Sequence, residues 1–96
     1  MEQYTFVRLH AKLGEESAVE QAMREVMTPS RDEEGCLSLH LFRSTRDRRM
    51  FYIHSRWRDE SALQKHAELP HTLAFLEKMD ALLDQPLEAT RTEMIG

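Results

Sequence analysis

Five residues near the middle of this chain have the types that proton transfer and ring binding require: Glu33, Glu34, Trp57, His66 and His71. Imidazole is the side chain whose ordinary titration falls near neutral pH, so it can take up a proton and return it. An indole offers a flat apolar wall for a ring. The carboxylates stand in Glu33-Glu34-Gly35-Cys36-Leu37, a pattern that ends a helix and launches a strand. Trp57 ends a strand in Arg56-Trp57-Arg58, and Asp59-Glu60-Ser61-Ala62-Leu63-Gln64-Lys65-His66 then launches a helix, closed by Pro70-His71. Together these segments bring an aromatic wall, two imidazoles and a carboxylate pair to the gap between a sheet and its helices. Small-molecule chemistry fits such a gap.

The elements that must position them follow from periodicity. Residues 4–11 (YTFVRLHA) alternate as a strand with both faces partly buried. Gly14 breaks it, and a helix follows from Glu15 or from a capping box at Ser17–Glu20. Ala18, Val19, Ala22, Met23, Val26 and Met27 make its apolar stripe. Pro29 kinks or ends this helix, and Gly35 suits its C-terminal cap. Residues 36–44 and 50–57 form a hairpin turning near Asp47, with Leu41 opposite Ile53, Leu39 opposite Ser55 and Leu37 opposite Trp57 on one face. The other face pairs Phe42 with Tyr52 and His40 with His54. Asp59 or Ser61 caps a short helix through about His66, and Pro70 starts another to about Leu83. The stripe of that second helix is Leu73, Leu76, Met79, Leu82 and Leu83, with Phe75 at its edge. Pro86 ends the helical part, and residues 87–95 read as a last, edge strand. The order β-α-β-β-α-β is the ferredoxin-like, α+β arrangement, an antiparallel sheet with its helices on one face.

Ninety-six residues make one domain over 1–96, long enough for a modest two-layer core. Hydrophobic residues at 41% and charged ones at 31% fit a globular chain and not a disordered one. A net charge of −4 argues against nucleic acid, which needs clustered cations. Arg46, Arg48 and Arg49 do cluster, but in a turn, where a solvated tip is expected. No run approaches the ~20 apolar residues of a bilayer span, and the N-terminus lacks signal-peptide character. With Cys36 as the only cysteine, no internal disulfide can form and a cytoplasmic location is expected. Cys36 has no basic neighbour in sequence and reads as an inert, partly buried thiol. His10, His40 and His54 share one sheet face, yet no carboxylate alternates with them, so no metal is expected there. That face, with Phe6, His10, Phe42, Tyr52 and His54 left uncovered by helices, calls for a partner, most simply a homodimer packed sheet against sheet.

Over nearly its whole length the chain resembles the antibiotic-biosynthesis monooxygenase family of small dimeric α/β-barrel proteins. The resemblance rests on the element order, on Glu34-Gly35-Cys36-Leu37, on Arg56-Trp57, on Asp59–Leu63, and on His66 and His71 flanking Pro70. It implies a dimeric barrel with a pocket in each subunit. One branch oxidises quinols or polyketide phenols with O2 and without a cofactor. Another isomerises a phosphorylated sugar-acid-like signal, another degrades haem, and many members have no assigned substrate. On the oxygenase pattern His66 or His71 is the base and Trp57 shapes the slot. Actinorhodin-type oxygenases have an Asn and a Tyr where this chain has Ile53 and Leu63, so those side chains would contribute only apolar contact to the substrate. The isomerase branch is similar around His66–His71, and Glu34 falls where it too has a Glu before Gly. The expectation is a cofactor-free monooxygenase of quinols or other electron-rich phenols; the alternatives are an isomerase using the same histidines and a non-catalytic small-molecule-binding stress protein.

Overall fold

The computed structural model describes residues 1–96. Its elements are β1 (Gln3–His10), α1 (Glu16–Arg31), β2 (Cys36–Arg43), β3 (Met50–Trp57), α2 (Glu60–Glu68), α3 (Pro70–Leu82) and β4 (Glu88–Thr92). The strands form one antiparallel sheet in the order β2-β3-β1-β4, the ferredoxin-like arrangement expected from the sequence. The helical region after β3 is divided at Leu69, which is extended (φ −75°, ψ 149°) because Pro70 crowds a helical residue before it. Pro70 itself occupies the start of α3, where a missing N–H leaves nothing unpaired. No helix is long and apolar enough to cross a membrane.

The helices cover one sheet face. Leu9, Leu39, Phe51 and Ile53 from the strands pack with Val19, Met23, Phe75 and Met79 from the helices, all buried. Each such side chain contributes about 1.5–3 kcal/mol through removal from water. The other face leaves Phe6, Phe42 and Tyr52 exposed.

The β2–β3 register matches the sequence reading from Arg43 inward: Leu41 faces Ile53, Leu39 faces Ser55, Phe42 faces Tyr52 and His40 faces His54. It departs at the far end. Cys36, not Leu37, is opposite Trp57, because the ladder shifts between Cys36 and Ser38. Leu37 is the extra residue of a bulge and turns half out to solvent.

Three further local expectations are corrected. The Ser17–Glu20 capping box does not form; α1 starts at Glu16, its flanking Glu15 makes no side-chain cap, and Glu20 pairs instead with Arg24 and Arg43. Pro29 lies inside α1, which runs two residues further to Arg31 and ends on Asp32 in right-handed geometry. Gly35 is therefore not a left-handed cap, and Gly14 alone has a positive φ. What Gly35 provides is proximity: a Cβ there would overlap the Cβ of Ala62 on α2. On α3 the buried residues are Thr72, Phe75 and Met79, whereas Leu73 and Leu76 are substantially exposed. Leucines stand on both sides of this helix, so packing against α1 and His66, not periodicity, chooses the inward side.

In the β2–β3 turn Arg46 and Arg48 are exposed, as expected of a solvated tip, but Arg49 is tied down. Arg49 donates to the Ala11 carbonyl (2.9 Å) and to Asp84 (3.0 Å). His10 turns toward the same place, with Nδ1 2.7 Å from Asp84 Oδ2 and Nε2 3.0 Å from Asp47 Oδ2. It thus joins β1 to both neighbouring turns and does not converge with His40 and His54. Both ring nitrogens can donate to carboxylates only in the imidazolium form. The hydrogen bond to Asp84, reinforced by Asp47, raises the His10 pKa.

Two predictions follow from these contacts. The His10 pairing contributes fully below the ordinary histidine value of about 6.5, and that stability is lost as pH rises through the raised value. Thermal melts of wild type and His10→Gln should therefore differ most under mildly acidic conditions and converge toward alkaline pH. Gly35→Ala should destabilise by about 1–3 kcal/mol from overpacking, and adding Ala62→Gly should recover part of that loss in urea unfolding.

Candidate functional site

The α1–β2 loop carries Glu33, whose N–H donates to Ser30 O (3.2 Å) and whose carbonyl accepts from Cys36 N–H (3.0 Å). These bonds hold the loop against the end of β2 and point the carboxylate inward, with its side chain 12% exposed. His66 lies in the last turn of α2 and His71 in the first turn of α3. The break at Leu69 puts both rings on one side. One oxygen, Glu33 Oε2, meets His66 Nδ1 at 2.7 Å and His71 Nε2 at 2.7 Å.

A carboxylate oxygen accepts, so both nitrogens donate to it. For His66 this places a proton on Nδ1; in the neutral ring Nε2, which no protein group engages, then carries the lone pair. The ring is fixed from a second side by Trp57, fully buried, whose centroid is 4.4 Å away at 33°. Trp57 is itself oriented: its indole N–H donates to Ser55 Oγ (2.9 Å), and Ser55 is hydrogen-bonded to Thr5. Ser55 and Trp57 share a face because they are two apart on one strand. Thr72 Oγ1 approaches His66 Nδ1 at 3.4 Å from the start of α3.

His66 lines a cavity of about 180 Å³ between sheet and helices, together with Ile53, Leu63, Ser30, Ser55 and Thr5 among others. Its walls are mostly apolar, with Arg91 on the β4 side. A wider groove of about 640 Å³ beside α3 holds carboxylates and leucines but no imidazole or indole, so it offers less chemistry.

The sequence-derived residues thus fall into distinct places. Ile53, Leu63 and His66 border the cavity; Trp57 backs His66 from behind; His71 sits on the far side of Glu33, outside the cavity lining. Glu34 is away from the cavity, with its side chain 89% exposed and 3.5 Å from Arg58. The inward carboxylate is its neighbour Glu33. Two adjacent glutamates in a loop give no periodicity by which to choose between them. Ser30 was also missed, although a signal existed: it continues the α1 stripe four residues after Val26 and seven after Met23.

Glu33, His66 and His71 are the one set of potential cation ligands, their atoms within 4.8 Å of one another. A divalent ion held at ~2.0–2.1 Å keeps neighbouring ligand atoms roughly 3 Å apart or more. The 2.7 Å separations here are those of charge-assisted hydrogen bonds. A cation would have to spread the cluster and displace both ring protons. Cys36, close by, has its thiol pKa raised by burial and secondarily by the Glu33 charge, which makes it a poor nucleophile.

Comparison with known proteins bears on the family and the fold. The model of the antibiotic biosynthesis monooxygenase family matches residues 4–78. YcnE of Bacillus subtilis (strain 168), provisionally named a monooxygenase, is 37% identical over 65 residues, 68% of each chain. Rv0793 of Mycobacterium tuberculosis, named in the same way, is 32% identical over 74 residues, 77% of this chain and 72% of that one. The solved structure of Rv0793 superposes with a TM-score of 0.94 at 25% identity, covering 100% of this chain and 97% of that one. PA3566 of Pseudomonas aeruginosa gives 0.90 at 29% identity, with 99% and 95% covered. With the family pattern spanning most of the chain and the fold superposing end to end, this protein belongs to the antibiotic biosynthesis monooxygenase family.

Proposed function

We propose that the protein is a cofactor-independent monooxygenase of quinols or other electron-rich phenols, working in the cytoplasm with His66 as its base. The observation that carries this reading is His66 itself: Nδ1 bound to Glu33, ring packed on Trp57, and placed at a mostly apolar cavity. A phenol hydroxyl in that cavity meets Nε2, which takes the proton. Glu33, 2.7 Å from the opposite nitrogen, stabilises the imidazolium that forms and keeps the ring from turning. The phenolate is electron-rich enough to pass one electron to O2, giving a ring radical and superoxide. These recombine as a carbon-bound peroxide. Return of the proton from His66 lets the O–O bond break with loss of water, leaving one oxygen atom in a quinone product. For a quinol the balance is quinol plus O2 to hydroxyquinone plus water.

His71 reaches the cavity only through Glu33, so in this scheme it is a positioning residue and not the base. The apolar walls at Ile53 and Leu63 hold the ring and exclude water, which would otherwise screen the charges.

Oxygen uptake by metal-stripped protein with a panel of hydroquinones tests the scheme. His66→Ala should lower kcat at least about 100-fold, the ordinary range for losing a general base, with Glu33→Gln intermediate and His71→Ala mildest. Protein-dependent uptake that His66→Ala leaves unchanged would refute His66 as base. Turnover of a sugar-acid phosphate without oxygen consumption would favour the isomerase instead, and ligand retention without any turnover would favour a binding protein.

The open sheet face has an occupant in the same reading. Phe6 and Phe42, each 53% exposed, flank Tyr52 and His54 across adjacent strands, and a second copy packed face to face would cover them. Sedimentation equilibrium should give twice the 11.3 kDa chain mass, and Phe42→Glu should give the single-chain mass.

A further inference from the structure

We propose that Ser30 is a substrate-binding residue whose hydroxyl pairs with a second oxygen on the ring held at His66, which makes the cavity selective for single-ring quinols over simple phenols. This rests on the phenol-oxygenase reading above and narrows its substrate class.

Four polar residues are buried in the chain: Thr5, Ser30, Ser55 and Thr72. All four line the cavity. Three have partners: Thr5 and Ser55 bond each other, Ser55 also accepts from Trp57, and Thr72 approaches His66. Ser30 differs. It is 1% exposed, and its Oγ is buried without a hydrogen-bond partner. A helical serine commonly settles its hydroxyl on the carbonyl four residues back, and this one does not. A buried hydroxyl left unpaired destabilises the empty protein, and alanine at this position of the α1 stripe would avoid that. Ser30 borders the cavity, and a turn of its hydroxyl toward that space lets a ligand supply the missing partner.

Two features of the cavity define that ligand. Ser30 is on α1 and His66 on α2, so polar residues border the cavity from two separate elements. The volume, about 180 Å³, is slightly larger than an engineered apolar cavity of about 150 Å³ that takes up benzene. It is therefore large enough for one six-membered ring with small substituents. A ring with one hydroxyl for His66 and one oxygen for Ser30 satisfies both walls.

Anaerobic titration, followed by fluorescence of Trp57, the only tryptophan, tests this with hydroquinone and phenol as probes. Wild type should bind hydroquinone about three- to tenfold more tightly than phenol, the worth of one net hydrogen bond. Ser30→Ala should bind the two probes equally while melting no lower than wild type. A wild type without preference, a variant that keeps it, or a variant that melts markedly lower would each overturn the role of Ser30. The wild-type comparison stands even if the variant folds poorly. Absence of binding by either probe would instead overturn the phenol reading itself, and this proposal with it.

Discussion

The carboxylate of Glu33 is the constraint on which the rest of the site depends. One oxygen accepts from two imidazoles that arrive on different helices, and the residue bearing it belongs to a loop that neither helix touches in sequence. Three segments thereby share a single acceptor. Because the acceptor is largely enclosed, its interactions are screened less than those of the surface pairs around it. Removing it would leave two ring donors unpaired at once, at a cost of about 1–3 kcal/mol each where they are buried. The cluster is thus both the organiser of the cavity's polar wall and a structural joint between α1, α2 and α3.

The fold supports this joint through a close backbone approach, a helix cap and an aromatic contact. Gly35 lets Ala62 approach the loop that holds Glu33, and Arg58 N–H donates to the Gly35 carbonyl at 2.8 Å. Asp59 caps α2 by accepting from Ala62 N–H at 2.8 Å, which fixes where that helix begins and so where His66 comes to lie. Trp57 closes the arrangement from below. The imidazole is consequently positioned by a cap, a close backbone approach and an aromatic contact, with the carboxylate choosing its tautomer.

Much of this could be read from residue order. Alternation gave the first three strands and the face on which Ser55 and Trp57 lie, since a period of two leaves little choice once one residue is placed; the last strand, read over 87–95, is confined to Glu88–Thr92. A cap at Asp59 or Ser61 and the break at Pro70 followed from the chemistry of those residues, and the structure uses Asp59. What escaped the sequence were features decided by three-dimensional proximity. Leu37 bulges where Cys36 takes the place opposite Trp57, a shift that local pattern does not announce. Glu33 and Glu34 are chemically identical neighbours, and only the loop's path assigns one inward. Leu73 and Leu76 lost the inward side of α3 to Thr72 and Phe75, where helix packing outweighed hydrophobic spacing. Ser30 was hidden by its type, a polar residue on an apolar stripe, although its position on that stripe was visible.

The bulge at Leu37 has a consequence beyond register. β2 is an outer strand, and an unbroken outer strand offers a ladder of free N–H and C=O groups on which a foreign strand can grow. The inserted residue interrupts that ladder beside the site. At the opposite margin β4 is only five residues long and carries Glu88 and Arg91. The β4 margin is thus a poor template for strand addition, and on β2 the bulge confines the regular outer ladder to Ser38–Arg43.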